Sequence, residues 1–125
     1  QIRDWLFVED HCRAIFAALE KGRPGEVYNV GGNCSLPNLE VVRRILAATH
    51  RPDDLVRYVT DRPGHDRRYA LSGEKLARET GWLPEVSFDE GLARTIEWYR
   101  SNADWIRRVK SGEYQSYYEL NYGNR

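Results

Sequence analysis

The 125-residue sequence contains no methionine. A complete translation product begins with one, so these residues are expected to be a piece of a longer protein. Cysteine is nearly as scarce. Cys12 and Cys34 stand too far apart for metal or redox spacing, which leaves two reduced, partly buried thiols as the expectation. No apolar run approaches the roughly 20 residues of a membrane span, and no signal peptide leads the chain, so neither a membrane partner nor export is expected. Net charge is absent too: 19 basic and 19 acidic side chains cancel. This excludes bulk attraction to nucleic acid, although a local basic site remains open. His11, His50 and His65 have no pairing at metal-ligand spacing, and no metal is expected.

What is present describes one ordinary domain. With 41% hydrophobic and 30% charged residues, the chain can bury a core without staples. Gln1 to Val8 reads as a strand or extended segment. Asp10 reads as the N-cap of a helix carrying Cys12, Ile15, Phe16 and Leu19 on one stripe, stopped by Gly22 and Pro24-Gly25. Glu26 to Val30 has the residues of a second strand, closed by Gly31-Gly32. Pro37 starts a second helix with Leu39, Val42, Ile45, Leu46 and Thr49, ending before Pro52. Leu55 to Thr60 is a third strand candidate, and 61–68 is a charged loop. Ser72 can cap a short helix ending at Gly81. Ser87 and Glu90 form a capping box for a longer helix, and a further helix spans Asn102 to about Lys110. The tail from Tyr114 to Arg125 matches no pattern. The order is that of a mixed α/β fold whose three short strands make a poor sheet alone, so some are expected to extend a sheet built elsewhere.

Several chemistries are missing. Gly31-Gly32 follows a strand pattern but lacks the third glycine and the helix start of a dinucleotide loop, and there is no P-loop. No tyrosine precedes Lys21, Lys75 or Lys110 by four residues, so a Tyr/Lys proton-transfer pair is absent.

One constellation remains, from Asp61 to Tyr69. Pro63 and Gly64 suit the central positions of a type II turn, which would bring Arg62 and His65 within about 7 Å at Cα. Arg67 and Arg68 follow. Two donors converging beside a backbone kink form a small phosphate or diphosphate clamp. The competing reading is a solvated loop whose arginines pair with Asp61, Asp66 and Asp4. Arg3, ahead of Trp5, has the same two readings, ligand contact or local ion pair. Asn38 at a helix start reads first as a local capping group. Trp82, Phe88, Trp98, Tyr99 and Trp105 read as core or interface packing.

The segments Arg3 to His11, Tyr28 to Gly32, Asp61 to Tyr69, Gly81 to Pro84 and Glu97 to Tyr99 occur here in an order and spacing that resembles the C-terminal portion of the dTDP-glucose 4,6-dehydratases. These are extended short-chain dehydrogenases/reductases, and the resemblance covers essentially the whole chain. It implies an α/β fold in which this C-terminal, substrate-binding part has a few short strands and several helices. Some of those strands would complete a Rossmann-type sheet supplied by an N-terminal part that this chain lacks. It implies that NAD and the catalytic residues lie in that absent part. The substrate would be dTDP-glucose, converted to dTDP-4-keto-6-deoxy-glucose for rhamnose and other deoxysugars, in a cytoplasmic homodimer. Arg3, Asn38, Arg62 and His65 match positions that contact the dTDP part of the substrate. A related epimerase or decarboxylase of the extended family, and a non-catalytic nucleotide-binding fragment, stand as alternatives. The fragment alone is expected to be inactive.

Overall fold

A computed structural model describes residues 1–61 and 63–112. The chain divides into two units, Gln1–Ala93 and Arg94–Arg125.

In the first unit, a three-residue strand β1 (Ile2–Asp4) is held on both edges. On one side it pairs antiparallel with β2 (Ser35–Pro37), with Arg3 opposite Leu36. On the other, Ile2 bridges Arg68 in parallel, its amide donating to the Arg67 carbonyl at 2.8 Å while the Tyr69 amide donates to the Ile2 carbonyl at 3.0 Å. The loop that precedes Tyr69 is thereby laid beside β1. Proline cannot donate to a ladder, and Pro37 with φ of −61° ends β2 and becomes the N-cap of α2 (Asn38–Ala48).

Helix α1 (Val8–Lys21) begins three residues earlier than its sequence suggests, with Phe7 at the N-cap and no side-chain cap. Asp10 is not the cap. It lies inside the first turn, fully buried, and accepts the amides of Glu85 at 3.2 Å and Val86 at 2.9 Å together with the Arg13 guanidinium. The stripe expected to face the core also departs from expectation: Ile15, Phe16 and Leu19 are 57%, 59% and 78% exposed. The helix instead turns its small residues inward. Ala14, with Ala17 and Ala18 beside it, packs against Leu76 and Trp82, and small side chains let α3 (Glu74–Thr80) come close. Cys12 on the outer stripe is exposed, whereas Cys34 is half-buried, and burial pushes its thiol pKa up, with Asp4 adding to the effect. Both cysteines are free.

Two of the three expected strands do not form as such. Residues 26–30 join no ladder among the described residues. They are pinned from the side by Lys75, whose Nζ donates to Glu26 Oε2 at 2.7 Å and the Val27 carbonyl at 2.9 Å. Residues 53–55 make one 3-10 turn, and the following Tyr58 and Val59 are 81% and 86% exposed. Strand-forming residues supply a disposition to pair, not a partner, and neither segment meets one here. The architecture remains α/β, with five α-helices and a two-stranded sheet among the described residues. Gly31-Gly32 serves close approach. A Cβ on Gly32 would lie 2.0 Å from the Trp5 carbonyl oxygen, and one on Gly31 2.5 Å from that of Leu71. Asp4 ties the same turn, accepting the amides of Gly32 at 2.7 Å and Cys34 at 2.8 Å.

The remaining helices follow their sequence signals. α3 has Gly73, not Ser72, at its N-cap, although the Ser72 hydroxyl accepts the Glu74 amide at 3.3 Å, and it stops at Gly81, which adopts the left-handed conformation. The Ser87 hydroxyl accepts the Glu90 amide at 3.3 Å at the head of α4 (Phe88–Ser101). Phe88 packs edge-on to Trp5, and Arg44 of α2 binds Asp89 at 2.5 Å, so α4 starts against the small sheet and α2.

The second unit holds the rest of α4 and α5 (Ala103–Ser111). Asn102 precedes α5 and donates its amide to the Trp98 carbonyl at 2.8 Å. Trp98 stacks edge-on with Tyr99 at 5.3 Å and Trp105 at 5.1 Å. These three rings stay about half exposed, so of the aromatic set only Trp82 is a buried core residue. The tail from Tyr114 lies outside the described residues.

Candidate functional site

The parallel bridge between Ile2 and Arg68 brings the start of β1 against the Asp61–Tyr69 loop. Gly64 has φ of +68°, which suits the third position of the expected type II turn. Beyond that turn, the imidazole of His65 reaches the Arg3 side chain. Arg3 Nη2 donates to His65 Nε2 at 3.0 Å and to the Asp66 carbonyl at 3.1 Å, and Nη1 donates to the Ile2 carbonyl at 2.8 Å. The guanidinium lies over the Tyr69 ring, 4.6 Å from its centroid. Tyr69 in turn donates its hydroxyl to Asp66, which fixes the ring.

Arg3 therefore has no carboxylate partner among the described residues: its bonds go to two carbonyls, an imidazole nitrogen and a π face. A guanidinium has five N–H donors, of which these bonds use three. The cation is half-buried, rigidly held and not neutralised by direct pairing, a state suited to receiving an anion.

Asn38 joins from the other edge of β1. Its backbone amide donates to the Gln1 carbonyl at 3.0 Å, while the side chain of Gln1 donates to Asp61 Oδ2 at 2.8 Å. Gln1 thus links the head of α2 to the loop. The Asn38 Oδ1 is buried with no hydrogen-bond partner among the described residues, so this side chain does not cap α2 as the sequence suggests. An amide can present either its oxygen or its NH2, and a buried amide end without a partner leaves that capacity for a ligand. Of the four residues nominated from sequence, Arg3 and His65 are in direct contact and Asn38 flanks the same strand. Arg62 lies outside the described residues. Neither Asp4 nor Asp66 gives Arg3 a local ion pair: Asp4 binds backbone amides and Asp66 binds Tyr69. Sequence reasoning missed Gln1 and Asp61 as members. Asp61 carried a signal, its four-residue spacing from His65 across the Pro-Gly turn.

A second polar cluster serves architecture. Tyr28 donates to Glu79 at 2.6 Å, Arg23 binds the same carboxylate at 2.9 Å, and these contacts hold the Glu79 carboxyl below the usual carboxylate range. They join α3 to the segment that follows α1. Among the described residues no group of His, Cys, Asp or Glu is arranged to hold a metal ion, and no helix is long and apolar enough to cross a membrane.

The solved structures this chain is similar to define the class. DesIV, a dTDP-glucose 4,6-dehydratase from Streptomyces venezuelae solved with NAD and TDP, is 47% identical over 84% of this chain with a TM-score of 0.80. A dTDP-glucose 4,6-dehydratase from Bacillus anthracis in complex with NAD is 48% identical over the same share, with a TM-score of 0.78. Each match spans 33% of the solved chain. The fold is that of the extended short-chain dehydrogenase-type dehydratases. The chain belongs to the GDP-mannose 4,6 dehydratase family, whose model matches residues 1–95. Among curated relatives, a dTDP-glucose 4,6-dehydratase from Shigella flexneri is 46% identical across the whole chain, and one from Xanthomonas campestris is 51% identical over 92% of it. The chain spans 37% and 35% of these two relatives, corresponding to their C-terminal portion.

Proposed function

We propose that this chain is the nucleotide-sugar-binding, C-terminal part of a dTDP-glucose 4,6-dehydratase, the enzyme that makes dTDP-4-keto-6-deoxy-glucose for deoxysugars such as rhamnose. The observation that carries this reading is the Arg3 guanidinium, held by His65, Asp66 and Tyr69 with donors to spare and no carboxylate in contact. Arg3, held in place by His65, with Asn38 alongside and Arg62 two residues ahead of Gly64, receives the diphosphate of the dTDP-sugar. The diphosphate does not react. Its binding free energy instead holds the glucose in register at the reacting end.

The described residues do not fit NAD. The Gly31-Gly32 pair is closed by the Trp5 and Leu71 carbonyls, so a pyrophosphate cannot approach it. NAD, the reversible hydride acceptor of this reaction, and the acid–base residues belong to an N-terminal Rossmann part of the same protein. The unpaired 26–30 segment and the exposed stripe of α1 support such a covering part. We read the whole protein as a cytoplasmic homodimer, as the family resemblance implies.

Turnover tests the reading. The full-length protein incubated with dTDP-glucose should produce a keto-sugar, followed by its absorbance in alkali, whereas the 125-residue chain alone should produce none and bind no NAD. A full-length protein inactive on dTDP-glucose, or product from the chain alone with contamination excluded, would contradict it.

A further inference from the structure

We propose that Asp61 is a positioning residue of this clamp: it sets the tautomer of His65, and His65 in that tautomer holds the Arg3 guanidinium in place. The inference rests on the reading of the site as a dTDP-sugar clamp. Arginine carries only N–H groups, so the His65 Nε2 that lies 3.0 Å from Arg3 Nη2 must present a lone pair. The ring proton is then on Nδ1, where Asp61 Oδ1 accepts it at 2.6 Å. The other carboxylate oxygen takes the Gln1 amide at 2.8 Å, which fixes the orientation of Asp61. The 3.4 Å approach of the Gln1 amide to Nδ1 sets two donors side by side and is a contact only. One negative charge is thus placed a ring's width behind the guanidinium. It balances Arg3 without occupying the donors that face a diphosphate.

Asparagine at 61 keeps the shape and breaks the logic. Its one oxygen can stand in for Oδ1 or for Oδ2, so in this geometry either His65 or Gln1 faces the NH2 instead of an acceptor. If its NH2 turns to His65, the ring proton moves to Nε2 and confronts the Arg3 N–H. The dehydratase would then hold Arg3 loosely. About one hydrogen bond's worth of positioning is lost, between two partly exposed groups, so a modest effect is expected.

The test is a double-variant cycle in the full-length enzyme, reading dTDP affinity by calorimetry and the kinetics of dTDP-glucose turnover. Asp61→Asn should weaken dTDP binding and raise KM by about three- to tenfold with kcat within about twofold. On an Arg3→Ala background the same substitution should change either quantity by less than about twofold, because Asp61 acts through Arg3. In His65→Gln, whose carbonyl can accept from Arg3 with no tautomer to set, Asp61→Asn should likewise have little effect. The 15N shifts of the His65 ring, assigned by their loss in His65→Gln, should show a protonated Nδ1 and a bare Nε2 in the wild type. A loss that multiplies in the double variant, an Asp61→Asn enzyme within twofold of wild type, or the opposite tautomer would each overturn the relay. A wild-type protein that binds no dTDP would overturn the clamp reading itself, while the ring shifts would still report the tautomer.

Discussion

Asp10 illustrates how one carboxylate can hold two distant parts of a chain together. Aligned helix dipoles favour an acid in the first turn of α1, and the fully buried Asp10 uses both oxygens, on Arg13 and on the amides of Glu85 and Val86. Asp10→Ala leaves those amides without their acceptor and should lower the unfolding free energy of the full-length protein by about 2 kcal/mol, read from urea denaturation. Values within a few tenths of wild type would mean that water replaces the carboxylate. At this scale the candidate site was half legible. Arg3 and His65 stood out because arginine and histidine beside a Pro-Gly turn are anion-binding residue types, and because the surrounding strings resemble a family. Their direct contact was not readable, since it depends on the bridge between Ile2 and Arg68, two segments far apart in sequence. Asp10 was misread as a cap for the same reason: its partners lie 75 and 76 residues away.

Among the elements, helices were legible and strands were not. A helix satisfies its own backbone, so its caps and stops act locally: Gly22, Gly81 and Ser87 all behave as their positions suggest. A strand is completed only by its partner. Residues 26–30 have β-forming side chains but no ladder among the described residues, whereas β1 with only three residues is paired on both edges. The face of α1 was misassigned because periodicity ranks residues by size, while the close approach of α3 selects alanine. Close approach also decides the Gly31-Gly32 turn. Gly32→Ala drives a methyl into the Trp5 carbonyl and should cost at least about 2 kcal/mol, through displacement of the turn that Asp4 anchors. Gly25→Ala meets no atom within 4 Å and bears only the strain of its φ of +82°, about 1 kcal/mol. Thermal denaturation of the two variants should rank them in that order, and the reverse order would show that the Gly31-Gly32 turn can move freely.

For the whole molecule, zero net charge and an anionic ligand are compatible because binding is local. The 19 acidic side chains balance the basic ones across the chain, yet among the described residues none forms an ion pair with Arg3. Whether this guanidinium receives the diphosphate of a dTDP-sugar is read by calorimetric titration of dTDP into the full-length protein. Arg3→Ala should weaken dTDP binding by roughly ten- to a hundredfold, the equivalent of about 1.4–2.8 kcal/mol of charge-assisted hydrogen bonding, and leave NAD affinity unchanged. Equal dTDP affinity in the wild type and a folded Arg3→Ala variant would contradict it.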